Sequence, residues 1–572
     1  MKALGTGPDI KTCDVLCIGG GGAAVTAAAA AAERGARVIL VSKEPVGYGD
    51  TRISMGMIAE PLLSAGDSIE LFVDDMVRCG EYLNNPALAS LLAERGSRGR
   101  EIIEGFGHLY QRDKEGRLGG DAVFFSGGHT KARTLRCPPS NGVGLGAALG
   151  TALMRTDTEI LEETVAYSLL LDNGKAAGAV CYNLKRGTAI VINAKAVVLA
   201  AGGSGMMYYP HSDCSAGAYG DGYALAYEAG ATLIDMEQIQ FVPFGITHPA
   251  PMCGVFIGDP VMAEPAGKIK NVKGELLLDR IHTRTRGDIS RVMSMALSRG
   301  EGNEHGGLWL DLTGNAAAEN GAELWERRRR LGQLDGIRTA YGEKAYRMEE
   351  PWSIAPTAHY TMGGVETDND TESAVPDLFI AGQNMGGVFG GDRLGSVSLT
   401  EVFVFGEIAG IKASEKANAI GAKTPEGCEE GTASLMGLRG RSGRFTPPAL
   451  KRRIQKAMWE AAGLYRDEAG LKAVIKELES VKNDAEDILT SGHIIYNRTL
   501  LDAIELKHML CSAFMTARSG LLRKETRGGH LRLDFPETDN REPVYNIIVN
   551  KTEEGMSVTK QKAKTADYIY EN

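Results

Sequence analysis

The chain has 572 residues, too many for one hydrophobic core, so about two to four domains are expected. Hydrophobic residues make up 43% and charged residues 24%, the balance of a soluble globular protein, and no apolar run reaches the length of a membrane helix, about 18 residues. The 63 basic residues are outnumbered by 73 acidic ones, and the net charge of −10 argues against bulk nucleic-acid binding.

Glycine is the outlying count: 73 residues, twice the usual share of about 7%. The glycines gather in short runs between apolar segments, where a backbone must approach something closely. The nine cysteines are scattered with no CxxC pair, which excludes a disulfide framework and cluster ligation and reads as a reduced, cytoplasmic protein.

In chain order, residues 13–18 read as a short apolar strand. The glycine run 19–22 follows, then an alanine-rich helix to about Arg34, a stop at Gly35 and a second strand over 37–41. This is a βαβ unit with a dinucleotide fingerprint. Gly19 permits the tight turn, Gly21 and Gly22 let backbone amides reach a pyrophosphate, and Ala24 stands for the third glycine. Ala23 and Ala24 open the helix, whose positive end faces the phosphates. An acid at the end of the second strand would bind a ribose; Ser42 and Lys43 stand there and Glu44 lies beyond, so this test leaves the nucleotide open.

The pattern of strand, glycine turn and helix start recurs twice. Residues 196–201 form a strand ending in Gly202 and Gly203, with Gly220, Asp221 and Gly222 opening a helix. Residues 377–381 form another, ending in Gly382 and Gln383, with a helix from about Ser398 to Gly410. A dinucleotide domain at 1–235 and 353–425, interrupted by an inserted domain at 236–352, fits this spacing. Residues 411–446 read as a linker. Residues 440–572 read as a helical domain, with one apolar face through Leu506, Leu510, Ala513, Phe514 and Ala517. The basic cluster from Arg518 to Arg532 reads by default as a solvated face.

Four stretches carry a family resemblance: the glycine fingerprint with Val41-Ser42-Lys43; Gly127-Gly128-His129-Thr130 with Arg133; Pro356-Thr357-Ala358-His359-Tyr360-Thr361-Met362-Gly363-Gly364; and the loop from Asp392-Arg393-Leu394-Gly395 to Leu399. With Lys524 to His530 near the C-terminus, the chain resembles the flavoprotein subunits of fumarate reductase and succinate dehydrogenase, and L-aspartate oxidase. The resemblance implies a Rossmann-like α/β FAD-binding domain, an α+β capping domain and a C-terminal helical domain. It implies FAD in a groove lined by the fingerprint, Thr51, Gly56, Val165, Ala201 and the 202–203 turn, with Asp221, Gln383, Arg393, Ser398 and Leu399 also at the cofactor. Gln383 stands where the family has Glu. The covalent members attach FAD through a histidine in Ser-His-Thr; here the stretch is Gly49-Asp50-Thr51, so non-covalent FAD is implied. No metal is implied.

The family moves a hydride between flavin N5 and a carbon β to a carboxylate, in either direction. His359 and Arg393 match its carboxylate-anchoring pair, and Arg286 its proton-shuttling arginine, with Arg284 as the alternative. Two departures bear on substrate. Val242 and Phe244 replace the family's His and Thr, and the Thr-Glu pair has only Asp259-Pro260 or Ala263-Glu264 as candidates, with His248 a steric substitute. These changes point away from a simple dicarboxylate and toward an alkyl or aryl enoate with one anionic or carbonyl anchor. Two other readings stay open: an aspartate oxidase or fumarate reductase with divergent contacts, and an electron-transfer flavoprotein subunit, including one like adenylylsulfate reductase. Electrons would pass through a separate iron–sulfur subunit, oxygen, a quinone or a soluble donor, with the protein cytoplasmic or held at a membrane only through a partner.

Overall fold

In the computed structural model, which describes residues 8–137, 141–329, 335–541 and 543–565, the N-terminal segment is a strand, glycine turn, helix and strand. They are β1 (Asp9–Ile18), α1 (Gly22–Ala32) and β2 (Val38–Val41). The alanine run of α1 has a packing reason. The helix is buried nearly all round, and the later helix Val397–Ala419 lies so close that a Cβ on its Gly410 would sit 2.2 Å from the Ala27 carbonyl oxygen. Small residues on both helices allow that approach.

Strands β3 (Glu159–Leu161), β4 (Thr164–Asp172), β5 (Lys175–Asn183), β6 (Thr188–Leu199) and β7 (Leu378–Ile380) complete a seven-stranded sheet. Its order is β3-β2-β1-β6-β5-β4, with β7 also on β6. β3, β2, β1, β6 and β7 pair in parallel, while β4 and β5 form an antiparallel extension. The parallel strands are apolar on both faces, as a sheet covered on both sides requires. The turns after β1, β6 and β7 emerge at the same edge, the carboxyl ends of parallel strands, where this class of sheet binds ligands.

Residues 239–361 contain a second, antiparallel sheet in the order 239–246, 352–361, 308–311, 268–270, 276–278, with its own core around Phe244, Ile246, Met293 and Trp352. The strand Trp352–Thr361 runs from this sheet back toward the cofactor edge of the first. Helices Pro447–Ala462, Glu468–Ala485 and Arg498–Leu522 pack together as the helical region.

Three features differ from the sequence reading. Half of 411–446 is no linker: the helix Val397–Ala419 continues through its first quarter, and a further helix spans Cys428–Met436. A C-terminal hairpin, Tyr545–Thr552 with Gly555–Lys562, pairs with Leu233-Ile234 where the sequence pattern suggests only helix. The basic cluster is not solvated: Arg523, Arg527 and Arg532 are buried, with Arg466 and His530 beside them. Their carboxylate partners account for this. Arg523 meets Glu237 at 2.7 Å, Glu525 at 2.9 Å and Asp235 at 3.0 Å, and Arg532 meets Asp534 at 2.7 Å.

Candidate active site

The carboxyl edge of the parallel sheet opens into a cavity of about 570 Å³ that runs from the first glycine turn to Arg393. Gly19 has φ +131°, and a Cβ there would lie 2.1 Å from the Ala200 carbonyl oxygen, so only glycine fits. At Gly21 the nearest atom to an added Cβ is 3.7 Å away, so the backbone faces open space. α1 starts there with no capping side chain on Gly21 and no acid in its first turn. Thr51 Oγ1 accepts from the Gly22 N–H at 3.2 Å. The helix at the far end is alike: α3 (Val397–Ala419), preceded in chain order by α2 (Asp221–Glu228), starts after Ser396 at φ +64° with no capping side chain or first-turn acid. Ser396, Ser398 and Leu399 line the cavity. Two uncapped helix N-termini, one at each end, fit a ligand with an anionic diphosphate and a ring that accumulates negative charge. The buried Gln383 Nε2 has no protein partner among the described residues and is a spare donor on the same wall.

Gly56, Val165, Ala201, Gly202 and Ser42 also line the cavity. Ala24 and Gly203 do not. Ala24 is buried in α1 beneath Gly19, and a Cβ on Gly203 would lie 2.5 Å from the Gln383 side chain, so both pack the wall from behind. Asn384, which sequence reasoning missed, clamps this turn by accepting from the Ala201 N–H at 2.6 Å and donating to the Gly202 carbonyl at 2.8 Å. Lys43 and Asp221 line the cavity but are engaged with each other at 2.7 Å, and Glu505 is 3.1 Å from Lys43. Burial opposes both charges; even so, Asp221 and Glu505 raise the Lys43 pKa, and Lys43 and His508 hold Asp221 well below the usual carboxylate range. This pair ties the cofactor wall to the helix Arg498–Leu522.

The other end holds the cations. Arg393 is buried; Nη2 donates to Gln240 Oε1 at 2.9 Å and Nη1 to the Leu394 carbonyl at 3.1 Å, with the Tyr360 ring 4.8 Å from the guanidinium. Burial and the nearby Arg286 lower its pKa to about 10, so it stays charged at neutral pH. His129, of the Gly127-Gly128-His129 element, sits at 2.8 Å from the Gly395 carbonyl and buttresses the loop that carries Arg393. Burial lowers its pKa to about 4, so it is neutral.

Arg286 is the first residue of the helix Arg286–Ser298, where the helix dipole disfavours a cation. Asp259 compensates: Arg286 Nε donates to its Oδ1 at 2.6 Å and Nη2 donates to the same oxygen. Arg284 does not line the cavity; its Nε donates to the Asp279 carbonyl at 3.0 Å. Of the candidate acids, Asp259 is thus the one beside Arg286. His359 lines the cavity with Nδ1 2.7 Å from Asp213 Oδ2. Arg286 Nη1 and Arg393 Nε are buried with no protein partner among the described residues.

Val242 and Phe244 are buried in the strand 239–246 and do not line the cavity; Phe244 belongs to the core of the second sheet. The apolar lining at this end comes instead from Val255 and Phe256, whose ring lies 5.7 Å from His359. His248 stacks on His305 at 4.2 Å and is also absent from the lining. Asp213 and Phe256 carry no motif signal; only the distance between chain segments that the fold closes reveals them.

Glu401, in the second turn of α3, is buried behind this wall. Burial raises its carboxyl from an ordinary value near 4.5 to about 8, against a smaller opposing effect of the Gly382 N–H. The native state therefore holds a proton that the unfolded chain releases, and stability is lost as pH rises from about 4.5 to 8. The variant Glu401→Gln should match the parent near pH 5 and exceed it at pH 9 by on the order of 4 kcal/mol, read from urea unfolding at the two pH values. Equal stability losses in both proteins would refute the assignment.

The comparisons with known proteins agree with this geometry. A family model described as an FAD binding domain matches residues 14–399, and one described as a fumarate reductase flavoprotein C-terminus matches 451–570. The chain is 32% identical over 550 residues to a subunit of the fumarate reductase (CoM/CoB) of Methanothermobacter marburgensis, covering 95% of this chain and 98% of the relative. It is 27% identical to the 8-methylmenaquinol:fumarate reductase flavoprotein subunit of Wolinella succinogenes, covering 96% and 90%. A solved E. coli quinol fumarate reductase chain superposes with a TM-score of 0.88 at 27% identity, covering 97% of each chain. This chain therefore belongs to the fumarate reductase and succinate dehydrogenase flavoprotein family and is an FAD-dependent oxidoreductase.

Proposed function

We propose that the chain catalyses hydride transfer between non-covalent FAD and the carbon β to a carboxylate or carbonyl in a substrate that is not a simple dicarboxylate. One observation carries the reading: the cations at the substrate end have acidic partners. Asp259 neutralises Arg286, Asp213 faces His359, and Asp392, which accepts from Gln240 Nε2 at 2.6 Å, stands beside Arg393. The unpartnered Arg393 Nε–H and the His359 ring can take one anionic or carbonyl oxygen pair, which leaves the unpartnered Arg286 Nη1 for the proton. A second carboxylate would meet Val255, Phe256 and the acids, and would be desolvated without a partner at a cost of several kcal/mol.

FAD supplies the two-electron chemistry at N5. The chain's residues do the rest. Arg393 and His359 anchor the carboxylate or carbonyl and draw charge from the double bond, which makes the β carbon electrophilic. Arg286 carries the proton to or from the neighbouring carbon, and Asp259 holds its guanidinium in place. In the reducing direction one hydride and one proton add across the double bond; the oxidising direction reverses both. Anaerobically reduced protein mixed with alkyl and aryl enoates should be reoxidised by at least one of them, followed at the flavin absorbance. Reoxidation by none of them, with fumarate active, contradicts the reading.

The FAD is held without a covalent bond because Asp50 stands where the covalent members have histidine. Acid precipitation should leave all the flavin in the supernatant; flavin on the denatured chain contradicts this. The Methanothermobacter and Wolinella relatives are subunits by name, and we read this chain also as a subunit that exchanges electrons with an iron–sulfur partner. Among the described residues no helix is long and apolar enough to cross a membrane, so membrane association would come through such a partner.

A further inference from the structure

We propose that Asp50 is a positioning residue for His359. This rests on the reading of His359 as a substrate anchor, but its geometry stands by itself. Asp50 opens the short helix Asp50–Ile53 and reaches across the cavity wall, where its Oδ1 accepts from the Ser215 N–H at 2.6 Å. Ser215 ends the turn Ser212-Asp213-Cys214-Ser215. Two residues back, Asp213 Oδ2 meets His359 Nδ1 at 2.7 Å. Between them Cys214 Sγ lies 3.2 Å from the His359 carbonyl, so the turn grips both the backbone and the ring of that residue. Asp50, Asp213, Cys214, Ser215 and His359 all line one cavity.

The turn has few other anchors that face the site. Its Ser212 Oγ accepts from the Cys214 N–H at 3.2 Å, and the Asp213 N–H donates to the Ala358 carbonyl at 3.1 Å. At the far end the Ser215 carbonyl accepts from the Ala218 N–H at 3.0 Å, a bond within the following turn, and Asp50 is the anchor that comes from the opposite wall. A carboxylate bonded to Nδ1 holds the imidazole in one orientation and leaves Nε2 for the ligand. Nε2 has no protein hydrogen bond among the described residues. The position that covalent members use to attach FAD would here serve to order the substrate's histidine. The charged groups sharing the cavity with His359 are Asp213 from the loop beside it, Asp50 from the short helix, Arg286 and Asp259 from the second sheet's side, Arg393 from the loop before α3, and Lys43, Glu44 and Asp221 along the cofactor wall.

The test is nuclear magnetic resonance of ¹⁵N-histidine-labelled holoprotein, with His359 assigned through His359→Gln. The parent should show a downfield, hydrogen-bonded Nδ1–H for His359. Asp213→Ala and Asp50→Ala should both lose it. Asp50→Asn, which keeps an oxygen to accept from Ser215, should restore it. If Asp50→Ala does not fold, Asp50→Ser, too short to reach Ser215, takes its place. A retained signal in Asp50→Ala or Asp50→Ser, or in Asp213→Ala, overturns the proposal. Unchanged turnover in His359→Gln would count against the anchoring role of the histidine and leave this signal pattern standing, so the two readings fail separately.

Discussion

Replacing Arg393 with methionine should lower kcat/KM by about 10²–10³ while FAD content stays at the parent level. The side chain is buried between Gln240, the Leu394 carbonyl and the Tyr360 ring, with one N–H left for a ligand. Methionine fills much of the volume and removes the charge and the fork. Arg393→Lys should recover only part of the loss, because a single ammonium cannot hold Gln240 and the Leu394 carbonyl and also present an N–H to the ligand in the fixed geometry of the guanidinium. The neighbouring Ser398 and Leu399 amides belong to α3, and the guanidinium touches only the Ser398 hydroxyl, Nη1 to Oγ at 3.4 Å, so flavin binding should survive. A methionine variant within fivefold of the parent would remove Arg393 from the chemistry.

The largest loss of stability is expected at Arg523, far from the cavity. Its guanidinium is buried among Asp235, Glu237 and Glu525, with the Tyr545 ring 4.9 Å away. Arg523→Met leaves the buried Asp235 and Glu237 without their cation and Glu525 with Arg527 alone, at a cost of about 3–5 kcal/mol. Asp235 is already pushed up to about 7 by burial and by Glu237, so it would take up a proton more readily still. Adding Glu237→Gln should return part of the loss, because fewer charges then lack a partner. Urea unfolding of the two variants and the parent decides it. An Arg523→Met protein as stable as the parent would show that the cluster is not what pins the C-terminal region to residues 235–237.

The cofactor half is legible in the sequence because its signals are local. A strand, a glycine that no other residue can replace at Gly19, and an alanine helix lie within twenty consecutive residues or so, and each piece has its own steric reason. The motif 356–364 is legible as one uninterrupted segment, and the strand Trp352–Thr361 that carries most of it places His359 in the cavity lining. Several of the misreadings involve partners distant in sequence. Arg523 looks like part of a solvated run until the fold brings in Asp235 and Glu237, nearly three hundred residues away, while Arg527 and Arg532 pair locally with Glu525 and Asp534 and are buried by the surrounding chain. Val242 and Phe244 read as substrate wall from their position in the motif, but the strand turns Phe244 into the core of the second sheet and leaves the wall to Val255 and Phe256. Asp213 is silent in sequence because a single aspartate in a polar turn has no spacing to recognise. The hairpin 545–562 escapes notice because the helical pattern before it invites extension to the end of the chain.

Fumarate and its monomethyl ester share one carbon skeleton and differ by one negative charge, so they isolate the claim that the site pairs a single anion. Anaerobically reduced protein should be mixed with each at matched concentration and the rate of flavin reoxidation compared. A site with its acids already set against its cations should favour the monoester by about tenfold or more, the effect of about 1.4 kcal/mol. Reoxidation by fumarate as fast as or faster than by the ester would contradict the account.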